Sequence, residues 1–390
     1  MVKVQLMNAF TIGETPSFFA MLMIRFSSTP AIKKLTVIQE LKDLHYDVTD
    51  EGEIEDYLGV RIEQLPNGHI HMTQPQLINS ILKDLKLKQT KSSTGRCYQA
   101  KTQPIPAPST VVLPRDIDSE LHKESWSYHS VIGKLNFLEK SPCPDLVYSV
   151  HNAARFSADP KDIHSKAVKK IGFYLLGTKD KGLIMKPDPS KSIKVFADAD
   201  FCGLFDSETA HFDPVTAKSC TGYIIKFMGC PIIWASKLQT ETALSTCEAE
   251  YISCSESLHA VIPIMNLLDE VHLLNIVRLA PDTKIYCKLF CDNNGACELL
   301  KLRKVRPCTK HFNNKLHQFC EHITSGKISV HYVPSADQQE NIAMKPLSLP
   351  LLPNFANSFL DGNLHNIRQG SVGFMVFSRM RTPLLYVTYI

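Results

Sequence analysis

Two short apolar runs of this chain lead into an aspartate, and a long helical pattern lies between them. Ile193 to Ala197 leads into Asp198, and Ile285 to Cys291 leads into Asp292. Between them, Thr221 to Phe227 alternates, with Tyr223, Ile225 and Phe227 on one face, and Ile232 to Ala235 follows a turn at Gly229 to Pro231. Such runs predict strands. From about Ser245 to Leu274 the pattern predicts one long helix, bent at Pro263, where the proline removes a backbone donor. Helices are expected around Asn294–Leu300, Lys310–Ser325 and Gln338–Lys345, with a fifth strand at Lys327–Val333. Three strands, helix, strand, helix, strand, helix is a mixed α/β layout. If the first and fourth strands are parallel neighbours, Asp198 and Asp292 sit side by side at their carboxyl ends, where ligand sites of such sheets collect. Glu250, early in the long helix, can aim at the same point.

A cluster of carboxylates repels itself, and hard divalent cations such as Mg²⁺ or Mn²⁺ stabilise it. Two such ions about 3.5–4 Å apart can hold the attacking and leaving oxygens of a phosphodiester. An isolated Asp at a strand end is more often a cap or a turn residue; three acids at these topological positions carry the argument together.

Upstream, residues 34–87 read as helix, two strands, helix. Lys34 to Leu44 has apolar residues at helical period, and Tyr57 to Glu63 and His69 to Thr73 flank Pro66-Asn67-Gly68. Asn-Gly between strand-like runs is a hairpin signal. Leu77, Ile78, Ile81, Leu82 and Leu85 mark an amphipathic helix. Residues 88–118 carry four prolines among Ser, Thr and Lys, an extended connector. Residues 119–185 read as mainly helical, with Val131, Leu135 and Leu138 on one face, a second helix starting at Pro144-Asp145 and a third from Ile163 to Leu176. Lys166, Lys169 and Lys170 on that third helix suit either phosphates or solvent. A weaker break falls at 177–192, and 190–348 forms the next unit.

Composition excludes little. The 43 basic and 39 acidic side chains give a net charge of +4, which permits a nucleic-acid partner without demanding one. The 12 cysteines include no C-x-x-C and no zinc spacing, so reduced, buried thiols of an intracellular protein, cytoplasmic or nuclear, are expected. The most apolar N-terminal run, Phe18 to Ile24, stops at Arg25 and is too short to span a bilayer, so no membrane partner is expected.

The wording around the acids is specific. Ala197-Asp-Ala-Asp-Phe-Cys-Gly203, Lys218-Ser-Cys-Thr-Gly-Tyr223, Trp234-Ala-Ser-Lys-Leu-Gln-Thr240, Ala243-Leu-Ser-Thr-Cys-Glu-Ala-Glu-Tyr-Ile252, Cys291-Asp-Asn-Asn-Gly-Ala296 and Thr309-Lys-His311 follow in order. They closely resemble the RNase H domain of Ty/copia-type retrotransposon Pol polyproteins. Asp56-Tyr-Leu-Gly-Val-Arg-Ile62 with His71-Met-Thr-Gln-Pro-Gln76 resembles the segment following the palm of the same polymerases. Tyr128 to Leu138, Pro144 to Val150, Ala153 to Phe156 and Tyr174 to Leu183 resemble the linking helical region. The resemblance covers roughly residues 34–348; 1–33 and 349–390 lie outside it, as a leader and an extension.

The resemblance implies an α/β, RNase H-like mixed five-stranded sheet with flanking helices, preceded by a mainly helical thumb and connection region with a β-hairpin. Residues 34–87 would be a post-palm and thumb remnant, and 119–185 the connection. It implies two-metal hydrolysis of RNA in RNA–DNA hybrids, with Asp198, Glu250 and Asp292 as catalytic carboxylates and ligands of two Mg²⁺ or Mn²⁺ ions. Asp200, the second acid of Asp-Ala-Asp, is the alternative first ligand. Asp198 is preferred on the argument that the strand ends there. Lys237, Lys310 and Lys315 are candidate phosphate contacts, with surface solvation an equally good reading of each. His311 and His317 are read as structural or surface residues rather than proton carriers. Partners implied are the hybrid and other segments of a polyprotein.

Two departures stand out. In Glu340-Asn-Ile-Ala-Met-Lys-Pro-Leu347, Asn341 stands where the family carries a fourth carboxylate. An amide brings no charge, so weaker metal binding and turnover are expected. Asp337, four residues earlier, can share a helix face with it as a substitute ligand or can cap that helix. The sequence also contains no Tyr-x-Asp-Asp, so no DNA synthesis is expected from this chain alone. Three readings therefore compete: an impaired nuclease, a catalytically dead remnant that binds nucleic acid, and a scaffold or interaction protein.

Overall fold

The computed structural model describes residues 48–87, 102–107, 113–115, 120–273, 285–302, 319–334 and 384–387, with short breaks inside those ranges. The helices expected at Lys34–Leu44 and Gln338–Lys345 lie outside the described residues, as does most of that at Lys310–Ser325.

The first part of the chain forms β1 (Val48–Gly52), β2 (Asp56–Tyr57), β3 (Val60–Gln64), β4 (Ile70–Thr73) and α1 (Pro75–Asp84). β3 and β4 pair antiparallel across the Pro66-Asn67-Gly68 segment, as a hairpin requires. Tyr57 to Glu63, expected as one strand, is two. Leu58 and Gly59 both have positive φ (51° and 74°), and Tyr57 pairs with Val60 across them. Two consecutive positive φ values make the tight turn whose twist suits a two-residue hairpin.

Three helices follow: α2 (Tyr128–Glu139), α3 (Val147–Ala154) and α4 (Asp162–Thr178). Ser127 caps α2 by accepting from the Ser130 amide. Val131, Leu135 and Leu138 share a buried face, packed with Ile78 and Ile81 of α1 and Ile171 and Leu175 of α4. Two of the three lysines of α4 are ion-paired, Lys166 with Asp162 and Lys169 with Glu124. The break expected at 177–192 contains a strand, β5 (Leu183–Met185), which pairs with β4 and completes a four-stranded sheet, β2-β3-β4-β5.

The third part holds β6 (Ile193–Asp200), β7 (Cys220–Phe227), β8 (Cys230–Leu238), α5 (Thr246–Leu273), β9 (Cys287–Cys291), α6 (Asn294–Lys301) and β10 (Ile328–Tyr332). The sheet is five-stranded and mixed, in the order β10-β9-β6-β7-β8. β6–β9 and β9–β10 are parallel; β6–β7 and β7–β8 are antiparallel. This is the RNase H-like architecture that the resemblance implied. All eight residues of β7 are buried, so its alternation does not divide a wet face from a dry one. Pro231, which has no amide to donate, sits on β8 at the sheet edge. The α5 helix passes through Pro263 and packs Tyr251, Cys254, Leu258 and Val261 into the core formed by Val195, Ile225 and Leu289. A last short strand, β11 (Leu384–Val387), pairs antiparallel with β1.

The helical part and the five-stranded sheet are joined by a buried bond: Trp234 Nε1 of β8 donates to the Glu139 carbonyl at 2.7 Å. Among the described residues, no helix is long and apolar enough to cross a membrane, and the nine described cysteines are free thiols, seven of them buried.

Candidate metal centre

The parallel register of β6 and β9 pairs Phe196 with Phe290. Two residues further along, the two chains reach Asp198 and Asp292. Asp198 does not end its strand: β6 continues through Asp200, which pairs with Cys220. The strand-end argument for choosing Asp198 over Asp200 therefore fails, and position must decide between them.

Position separates the two acids. The Asp198 carboxyl shares a side-chain hydrogen bond with Glu250, and its Oδ1 accepts from the Ala199 amide at 2.9 Å. The Asp200 carboxylate instead lies over the turn after β6, where a side chain at Gly203 would overlap it. Its charge acts on Tyr148 of α3 and on Cys220.

Glu250 is held in place by the start of α5. Ser245 Oγ accepts from the Glu248 amide at 3.1 Å, and the Glu248 carboxylate accepts from the Leu244 amide at 2.8 Å. Reciprocal bonds of this kind satisfy amides that a helix start leaves unpaired. Gln239 Nε2 donates to Thr221 Oγ1 and to the Ala249 carbonyl, tying that first turn to β7. One turn on, Ser253 Oγ donates at 2.6 Å to the Asp198 carbonyl. Small residues at 249, 253 and 254 bring the helix close to the sheet, and Glu250 arrives beside Asp198.

The centre is poor in water and rich in negative charge. Asp198 is 7% exposed and Glu250 6%. Burial, then the Asp198 charge and the shared hydrogen bond, then the Asp292 charge, hold the Glu250 carboxyl well above the usual carboxylate range. Glu250 Oε2 is buried without a hydrogen-bond partner. A ligand atom from each of Glu250, Asp292 and Cys291 lies within 4.8 Å of the other two. A cation placed there would meet donors from α5, from the end of β9 and from the residue after it.

Lys237 sits on β8 and pairs with Glu256 at 3.3 Å. Asn341, Asp337, Lys310 and Lys315 lie outside the described residues. Sequence reasoning missed Cys291, although it directly precedes Asp292. It also missed the approach of the helical part, from which Tyr148 and Arg155 come near Cys220.

No protein-family model matches the chain. Over 312 residues it is 28% identical to a retrovirus-related Pol polyprotein from transposon RE1 of Arabidopsis thaliana, covering 80% of this chain and 19% of that protein. Over 288 residues it is 30% identical to the corresponding polyprotein from transposon TNT 1-94 of Nicotiana tabacum, covering 73% and 20%. Among solved structures, the N-terminal RNase H domain of a Mycobacterium tuberculosis protein overlaps 39% of this chain and 93% of that one, at 11% identity and a TM-score of 0.26. The foamy viral protease-reverse transcriptase in complex with RNA/DNA hybrid overlaps 77% and 32%, at 14% identity and a TM-score of 0.37. The chain is a homologue of the retrovirus-related Pol polyproteins of transposons and spans about a fifth of the length of those it matches.

Proposed function

We propose that this protein hydrolyses the RNA strand of RNA–DNA hybrids, with divalent cations held by Asp198, Glu250 and Asp292. One observation carries the reading. Glu250 Oε2 is a buried acceptor with no partner, and the charged groups acting on its carboxyl are both acids. A buried unpaired acceptor costs on the order of 1–3 kcal/mol, and crowded carboxylates add repulsion. A divalent cation relieves both, and the oxygen donors suit Mg²⁺ or Mn²⁺.

When bound, two such ions lower the pKa of a water and neutralise charge developing on a phosphodiester. The chain's own residues fix where that happens. Asp198 and Asp292 stand on adjacent parallel strands, so their spacing is set by sheet hydrogen bonds. Glu250 is set by the helix cap and by Ser253 on the Asp198 carbonyl. Lys237, about half exposed, would exchange Glu256 for a phosphate of the substrate. Hybrids are recognised by shape and by 2′-OH contacts across the minor groove, which a partly exposed sheet edge can supply.

Asn341 in place of a fourth acid supports reduced turnover, and it favours a second reading in which the protein binds the hybrid without cutting it. A cleavage assay on a labelled hybrid in Mg²⁺, with Asp198→Asn, Glu250→Gln and Asp292→Asn tested singly, separates the two. The first reading requires cleavage that each substitution removes; binding by all four proteins with cleavage by none establishes the second.

A further inference from the structure

The sequence shows no C-x-x-C, yet the fold gathers thiols beside the carboxylate centre. Cys254 comes from α5, one turn after Glu250; Cys291 ends β9; Cys297 lies in α6. The Cys291 side chain neighbours those of both Cys254 and Cys297. Cys291 is the one that meets the acids.

We propose that Cys291 Sγ, with Glu250 and Asp292, forms a site for a thiophilic divalent cation such as Zn²⁺ or Cd²⁺. The ligand atoms of the three residues all lie within 4.8 Å of one another. Zinc binds sulfur at about 2.3 Å and carboxylate oxygen at about 2.0–2.2 Å in tetrahedral geometry, so two ligands of one ion stand roughly 3.5 Å apart. Small side-chain rotations close the difference. The second, independent observation is Glu250 Oε2, buried and without a hydrogen-bond partner on a residue only 6% exposed. An orphaned acceptor beside a sulfur and a second carboxylate is a donor set suited to a divalent cation.

The Asn293 amide donates to Cys291 Sγ at 3.4 Å, and the thiol donates to the Asn293 carbonyl at 3.7 Å, so the backbone beside Asp292 fixes where the sulfur stands. On binding, Cys291 gives its thiol proton to solvent and forms a sulfur–metal bond; nothing is oxidised or reduced. The ligands are soft and hard together, which favours zinc over magnesium at that position. Because Glu250 and Asp292 are also ligands in the proposed function, occupancy by a thiophilic ion would block hybrid cleavage. That consequence rests on the functional reading; the binding does not.

The test is optical titration of the full chain with Cd²⁺ in buffer free of Mg²⁺, followed by thermal unfolding with and without Zn²⁺. The wild type should show a sulfur-to-cadmium charge-transfer band saturating at one equivalent, and Zn²⁺ should raise its Tm. Cys291→Ser should lose the band and the Tm shift. Glu250→Gln keeps every thiol and should weaken Cd²⁺ affinity by about tenfold or more, which keeps the test valid if Cys291→Ser fails to fold. A wild type without a band, or a band and affinity unchanged in Glu250→Gln, overturns the site. Cleavage in Mg²⁺ without any band sinks this site and leaves the functional reading standing; a band without cleavage does the reverse.

Discussion

Asp198 and Asp292 occupy matching positions on two parallel neighbours: Phe196 pairs with Phe290, and each strand presents its aspartate two residues later. The pair is therefore spaced by backbone hydrogen bonds rather than by flexible side chains, and Glu250 reaches it from α5. The consequence is an acid cluster, buried at Asp198 and Glu250 and partly exposed at Asp292, whose stability depends on pH and on cations.

Glu250 titrates near 4.5 when unperturbed and well above that in the folded protein. The folded state then holds its proton more tightly than the unfolded state does, so this group favours folding at low pH. That contribution is lost as pH rises above 4.5 toward the folded value. Without divalent cations, Glu250→Gln should raise the stability at pH 8 by on the order of 1 kcal/mol and flatten the decline with pH. Mn²⁺ should stabilise the wild type more than the variant. Urea unfolding at pH 5 and pH 8, with and without Mn²⁺, checks both statements.

Glu139 behaves in the same direction at the junction between the helical part and the sheet. Burial pushes its carboxyl up from 4.5 to about 8, and Oε2 is buried without a hydrogen-bond partner. Its stabilising contribution is lost between those pH values. Burial likewise lifts Asp145, which accepts from Tyr174 at 2.6 Å, from 3.8 to about 6. Glu139→Gln should therefore stabilise the protein at pH 8 and change little at pH 4, with a difference on the order of 1 kcal/mol or more. Equal effects at both pH values would show that the carboxyl does not titrate in this range.

Trp234→Phe removes the indole donor that holds the Glu139 carbonyl at 2.7 Å. A buried carbonyl left unpaired costs about 1–3 kcal/mol, and the lost ring volume adds to it. The substitution should lower the urea midpoint and loosen the junction between the helices and β8. Hydrogen exchange at the carboxyl end of α2 reports this: faster exchange there, without a matching change in β9, is the expected pattern.

The mixed sheet was legible because its strands are apolar runs separated by a long helical pattern. The three acids were legible because strand direction and parallel pairing bring chain ends together. Failures arose where local pattern is weak and tertiary pairing decides. Leu183–Met185 is a three-residue strand with no periodicity to detect, formed by pairing with Ile70–Met72. Leu58 carries a positive φ that its residue type does not advertise, so one expected strand became two. The continuation of β6 past Asp198 depends on pairing with Cys220 and Thr221, which no window on residues 193–200 contains. Cys291 looked like a core thiol, and it is fully buried; only the fold brings Glu250 to it.

The most direct measurement is cleavage of a labelled RNA–DNA hybrid, in Mg²⁺ and in Mn²⁺, by the wild type, Asp292→Asn and Asn341→Asp. The account predicts slow cutting of the RNA strand by the wild type, none by Asp292→Asn, and faster cutting by Asn341→Asp. Cleavage that survives Asp292→Asn, or silence from both the wild type and Asn341→Asp, would contradict it.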